Sequence, residues 1–176
     1  MPTVAIKELL QDHESFEQEL RAVITTNTLD HPHLVRALTA CTRGERRFLL
    51  FPWAGGGNLR GTWRVMDNAR GDRSTRALHW VLHQLHGLSE GLEKLHSMNC
   101  RHGDLKPENI LCFQEEGQGT KGWGTLAIAD MGIAKVHNTS TVERSRGTAT
   151  KAGTIKYEHP EAMWSCLLYT SDAADE

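Results

Sequence analysis

Leu78, Val81, Leu82, Leu85, Leu88, Leu92 and Leu95 recur at steps of three or four residues. That rhythm gathers apolar side chains on one face of a 3.6-residue turn and predicts an amphipathic helix, the strongest in the chain. His79, His83, His86 and His96 ride on the same helix. They are expected at its surface or core edge, since no carboxylate or cysteine cluster accompanies them to build a metal site. Upstream the period changes. TVAIKELL (3–10) alternates and is β-branched, which predicts a strand. Residues 12–25 space Phe16, Leu20 and Val23 for one helix face. HPHLV (31–35) reads as a turn entering a strand, and RRFLLFPWA (46–54) as a short buried strand ended by Pro52. AGGG (54–57) then reads as a flexible joint between a strand-rich first part and the helical second part. Beyond the long helix, QEEGQGTKGWG (114–124) is a polar loop, TLAIAD (125–130) a strand, and residues 136–153 an exposed loop rich in Ser, Thr and Gly. No internal repeat interrupts this order.

The chain has 176 residues, 39% apolar and 24% charged, enough for one domain with a sizeable core. A net charge of −2 offers no pull toward nucleic acid or an anionic membrane. No apolar run approaches the length of a membrane span, and MPTVAIKELL lacks the layout of a secretory signal. Cys41, Cys100, Cys112 and Cys166 have no paired spacing and read as reduced thiols. Cytoplasm or nucleus is the expected compartment.

The chemistry concentrates in RHGDLKPENIL (101–111). Asp104 can accept or orient a hydroxyl proton. Lys106 lies near enough along the loop to steady a transferring phosphoryl group, and Pro107 stiffens the segment. Asn109 offers a carbonyl oxygen, a hard ligand suited to Mg²⁺. Asp130, at the end of a strand in ADMG (129–132), is the natural second ligand, with Gly132 allowing a sharp turn after it. A base and two oxygen ligands are the parts of a phosphoryl-transfer site.

Four motifs in order carry a resemblance: VAIK (4–7), HGDLKPEN (102–109), ADMG (129–132) and GTIKYEHPE (153–161). Together they resemble a eukaryotic protein kinase domain of the Ser/Thr type over residues 3 to about 163, in wording closest to filamentous fungi. The resemblance implies an α+β, bilobal fold in partial form. Residues 1–54 would be a small β-rich lobe lacking the family's first two strands. Residues 55–165 would be a helical lobe ending after the activation segment. It implies ATP and Mg²⁺ as cofactors and a protein bearing Ser or Thr as partner, with no nucleic acid and no membrane span. Lys7 would pair with the α- and β-phosphates and with a helix glutamate, Glu19, with Glu17 and Glu14 as competitors. Asp104 would be the base, Lys106 the γ-phosphate stabiliser, and Asn109 and Asp130 the metal ligands. Thr154 would buttress Asp104 and Lys106. Ala5 and Leu111 would sandwich adenine. Pro52 would offer its carbonyl and Ala54 its N–H, with Phe51 closing the space behind.

Several positions depart from the family pattern. Gly103 stands where the family has Arg, so control by an activation-loop phosphate is expected to be weak. Thr150 is expected to be a solvated loop residue. Met131 replaces Phe and can still fill an apolar position. Only three residues precede VAIK, leaving no Gly-rich phosphate loop, and little follows Glu161. The final CLLYTSDAADE (166–176) resembles the translation of a sequencing adapter. The chain is therefore read as a fragment, unstable or inactive by itself, whose parent is the enzyme. A pseudokinase that binds nucleotide or serves as a scaffold is the alternative. A small-molecule kinase is disfavoured by YEHPE.

Overall fold

Val4 and Ile6 alternate with Ala5 and Lys7, and this stretch forms β1 (Val4–Glu8) in the computed structural model of the chain. The structure describes residues 3–9, 13–68, 75–114, 123–131, 135–136 and 154–157. The expectations for Gly132, Thr150, Gly153, Glu161, the loop beyond residue 136 and the tail 166–176 lie outside them. β1 pairs antiparallel with β3 (Arg46–Pro52), from Val4 opposite Pro52 to Glu8 opposite Phe48. β2 (Thr39–Arg43) pairs with the other edge of β3, giving the order β1-β3-β2. All of β2 is exposed, so no apolar alternation marks TACTR as a strand. Pro52 falls on the last residue of the central strand, where a missing N–H costs little.

α1 (His13–Thr28) lies against this sheet and buries Glu19, Ala22, Val23 and Thr26, a spacing of three and four. Val23 meets Leu9 and Leu49, with Phe16 and Phe51 packed alongside. Asn27 ties down the segment after the helix by accepting from the Ala37 N–H at 2.9 Å and donating to its carbonyl at 3.0 Å.

The second part contains α2 (Leu59–Asn68), α3 (Thr75–Ser97), β4 (Cys100–Arg101), the hairpin β5 (Ile110–Phe113) and β6 (Thr125–Ile128), and β7 (Lys135–Val136), which pairs with β4. Three expectations change here. Residues 31–35 do not open a strand; Leu34 makes a single parallel bridge to Ile128. The Val35 N–H donates to the Ile128 carbonyl, and the Ile128 N–H to the His33 carbonyl, each at 2.8 Å, so the segment stitches the first part to β6.

The joint at 54–57 is held, not loose. Gly56 N–H donates to the Cys112 carbonyl at 3.0 Å, and Cys112 N–H to the Gly57 carbonyl at 2.8 Å. A Cβ on Gly56 would sit 2.7 Å from Cys112 Sγ, so the glycine serves close approach.

The buried face of α3 is rotated from the leucine stripe. Leu88 and Leu95 are buried, yet Leu78, Leu82 and Leu85 are 58%, 55% and 55% exposed. Ala77, Gln84, Gly87, Leu88, Gly91 and Leu95 form the inner face instead. Polar atoms decide the rotation. Leu126 N–H donates to Gln84 Oε1, and Trp80 Nε1–H to the Gly124 carbonyl, both at 2.8 Å. Leu88, Leu95, Cys100, Cys112, Leu126, Ile128 and Met131 share one core. Met131 thus fills an apolar position. No described helix is long and apolar enough to cross a membrane.

Candidate active site

The loop between β4 and β5 is short and heavily bonded. It turns at Gly103, whose φ of 82° lies in the left-handed region, and enters a 3₁₀ turn (Pro107–Asn109) with proline at its start. His102, buried beneath it, donates from Nε2 to the Ala129 carbonyl at 2.8 Å. Its Nδ1 accepts the Asp104 N–H at 3.2 Å, which fixes the tautomer and leaves neither nitrogen for proton transfer. Burial pushes the imidazole pKa below its ordinary value, with the Ala129 contact opposing.

Above His102, Asp104 is the hub. Its Oδ1 accepts from the Thr154 hydroxyl at 2.6 Å and the Thr154 N–H at 3.0 Å. Its Oδ2 accepts from Lys106 Nζ at 2.5 Å and Asn109 Nδ2 at 3.1 Å. Lys106 also donates to Thr154 Oγ1 at 2.9 Å. Desolvation works against ionisation of Asp104, but the bonds from Lys106 and Thr154 outweigh it and hold the carboxyl below the usual range. The structure therefore brings together Asp104, Lys106, Asn109 and Thr154, although Thr154 comes from a distant segment.

A second group forms on the strand side. Lys7 Nζ lies 2.5 Å from Glu19 Oε1 and 2.7 Å from Asp130 Oδ1. Of Glu17 and Glu19, Glu19 is the one in contact; the side chain of Glu14 lies outside the described residues. Partial burial opposes the Lys7 charge, yet Asp130 and Glu19 raise its pKa above the ordinary value. Asp130 has φ 65°, a conformation that Asp adopts more readily than most residues and that often marks functional positions.

Asn109 and Asp130 flank the same end of the β5–β6 hairpin, because the Ala129 N–H donates to the Asn109 carbonyl at 2.8 Å. Asn109 Nδ2 spends itself on Asp104, including the Asp104 carbonyl at 2.9 Å, which leaves Oδ1 as the atom that could ligate a metal. An amide oxygen and a carboxylate form a hard-oxygen set. Such a set fits Mg²⁺, which keeps water and phosphate in its remaining positions. Among the described residues no group of three or more His, Cys, Asp or Glu forms, as a softer metal would want.

The expected nucleotide contacts are more dispersed. Ala5 lies opposite Phe51 in the sheet, and Leu111 sits in β5 bridged to Asn58. Phe51 and Leu111 pack against one cluster of Val35, Ala127 and Ala129, so the large ring joins the sheet to the hairpin. Pro52 ends β3, and the Ala54 carbonyl is taken by the Gly57 N–H at 3.1 Å. A cavity of about 470 Å³, lined by residues including Asn27, Val35, Leu38 and Phe113, takes in Pro52 but not Ala5, Ala54 or Leu111.

One feature beside the site escaped the sequence. Arg60, in the first turn of α2, pairs its Nε with Glu108 Oε1 and donates from Nη2 to the Tyr157 hydroxyl at 2.8 Å. Nothing in the spacing links residue 60 to residues 108 and 157.

A family profile described as protein kinase domain matches residues 2–175. The chain is 30% identical to "Cysteine-rich receptor-like protein kinase 29" of Arabidopsis thaliana, over 90% of this chain and 22% of that protein. It is 27% identical to "Calcium-dependent protein kinase 3" of Plasmodium yoelii yoelii, over 96% and 28%. It is 30% identical to "Serine/threonine-protein kinase PkaB" of Streptomyces coelicolor, over 91% and 37%. The chain thus spans well under half of the length of these curated relatives.

Proposed function

The chain belongs to the protein kinase domain family, and from that premise we propose that its full-length protein transfers the γ-phosphoryl group of ATP to Ser or Thr hydroxyls of a protein. Lys7 grips the α- and β-phosphates, with Glu19 holding its ammonium in place. Asn109 Oδ1 and the Asp130 carboxylate hold Mg²⁺, which when bound offsets the phosphate charge. Asp104 accepts or orients the hydroxyl proton of the acceptor, and its low pKa keeps it ionised at neutral pH. Lys106 steadies the transferring group, and Thr154 keeps Asp104 and Lys106 in register. Ala5 and Leu111 face adenine, Pro52 offers its carbonyl and Ala54 its N–H.

The observation that carries the reading is the convergence of Lys7, Glu19 and Asp130, which come from the sheet, the first helix and the hairpin. Two carboxylates on one ammonium leave the cluster net negative, which suits a site that takes up Mg²⁺ together with a phosphate. The test is transfer of labelled γ-phosphate to Ser/Thr peptides and to Tyr peptides. Ser/Thr labelling that disappears in Asp130→Ala supports the proposal; labelling that persists there, or that falls on Tyr, rejects it. Gly103 favours a second reading, a nucleotide-binding pseudokinase scaffold, whose mark would be thermal stabilisation by Mg·ATP without transfer.

A further inference from the structure

Three described segments meet at Arg60, and two of them are pinned to Asp104. Glu108 shares a 3₁₀ turn with Asn109 and lies within electrostatic reach of Lys106, which is itself 2.5 Å from Asp104 Oδ2. Tyr157 closes a 3₁₀ turn (Ile155–Tyr157) whose first contact is Thr154, bonded to Asp104 Oδ1. The Arg60 guanidinium sits between these segments, joined to Glu108 on one side and to the Tyr157 hydroxyl on the other. Both members of the ion pair remain partly open, at 40% and 36% side-chain exposure, so this is not a sealed core bridge. Glu108 Oε2 is buried with no hydrogen-bond partner among the described residues.

A carboxylate beside a phosphoacceptor site would select a cationic residue in the incoming peptide, and the fork of Arg would suit it best. Here the chain's own arginine already fills that position. A peptide cation would have to displace Arg60 and would meet its positive charge on approach. We propose that Arg60 is a specificity-determining residue. It occupies the acidic position formed by Glu108, so the surface next to Asp104 does not prefer a basic side chain and favours neutral or acidic peptides. The proposal rests on the kinase reading for its substrate class, but its test reads peptide binding and needs no turnover.

The experiment measures anisotropy of two fluorescent Ser peptides with the full-length protein. The peptides are matched except that one has Arg, and the other Gln, at each position flanking the acceptor. Wild type is expected to bind the two within about twofold. Arg60→Ala should bind the Arg peptide about tenfold tighter or more, the worth of one charge-assisted hydrogen bond. Arg60→Gln, which keeps the stem and a donor for Tyr157, should do the same if truncation unsettles the fold. Adding Glu108→Gln should abolish the gain. A wild type that already prefers the Arg peptide overturns the proposal. So does an unchanged ratio in a folded Arg60→Gln variant, or a gain that survives Glu108→Gln. Phosphate transfer run in parallel reports on the kinase reading separately: the predicted binding pattern without transfer would reject that reading and keep Arg60 in its role.

Discussion

Replacing Gly87 with Ala should destabilise the protein, although helix propensity alone predicts the opposite. In an exposed helix the change would stabilise by about 1 kcal/mol. Gly87 lies on the inner face of α3, and an added Cβ would meet His33 Nε2 at 2.0 Å, Cδ2 at 2.3 Å and Cε1 at 2.6 Å. Those atoms belong to a buried ring whose Nδ1 is bonded to the Leu126 carbonyl at 2.6 Å, so the ring has nowhere cheap to go. Overpacking a well-filled site costs about 1–3 kcal/mol. Breaking the His33 bond leaves a buried polar group unpaired for a further 1–3 kcal/mol or so. Set against the propensity gain, the net loss should be about 1–5 kcal/mol. Gly61 is the control: its added Cβ would meet only Asn58 Oδ1 at 3.7 Å, an ordinary contact, so Gly61→Ala should be neutral or slightly stabilising. The assay is the urea midpoint at constant m-value. A Gly87→Ala variant as stable as wild type would refute the packing of residues 33–34 on α3. Because that segment is bonded to β6 just before Asp130, the same variant should also weaken nucleotide binding.

Three further outcomes follow from the site. Gly103→Arg, which restores the residue usual in the family, should lower stability by about 1–2 kcal/mol, because φ of 82° strains any L side chain; an unchanged melting temperature would contradict this. His102 is held neutral by burial, so its folded pKa lies below the ordinary 6.5. Its contribution is complete above that value and is lost as pH falls below it, whereas that of Asp104, depressed from 3.8, is lost only in stronger acid. Urea midpoints should therefore drop as pH falls below 6.5, and His102→Gln should remove part of the drop; an equal drop in the variant would assign it to other groups. Glu19→Gln should reduce kcat/KM for ATP about tenfold by weakening the hold on Lys7, while Glu17→Gln stays within about twofold. Equal losses in the two variants would show that Glu19 has no special part.

The sequence was most legible where backbone period and side-chain chemistry coincide. β1, α1, β3, α3 and the loop from His102 to Asn109 could be drawn from pattern and motif. β2 could not, because TACTR buries none of its residues and hydrogen bonding to β3 alone makes it a strand. The long helix was found but its inner face was misjudged. Hydrophobicity counts Leu78, Leu82 and Leu85 as core, while the bonds of Trp80 and Gln84 to the backbone of Gly124 and Leu126 turn those leucines outward. The glycines at 54–57 looked like freedom and act as room for Cys112. In the site, Lys7, Asp104, Asn109 and Asp130 were recognised by motif, yet their mutual bonds depend on tertiary placement that no local spacing encodes. Arg60 is the extreme case, since its partners lie 48 and 97 residues away.

The account stands most directly on Asp104 as the group that receives the acceptor proton. Transfer of labelled γ-phosphate from Mg·ATP to a Ser/Thr peptide should be measured for full-length wild type and Asp104→Asn, alongside the affinity of each for nucleotide. Transfer should fall by about 10²–10⁴-fold while nucleotide affinity changes little. Equal transfer by the two proteins would contradict the account, and so would a loss traced wholly to weaker nucleotide binding.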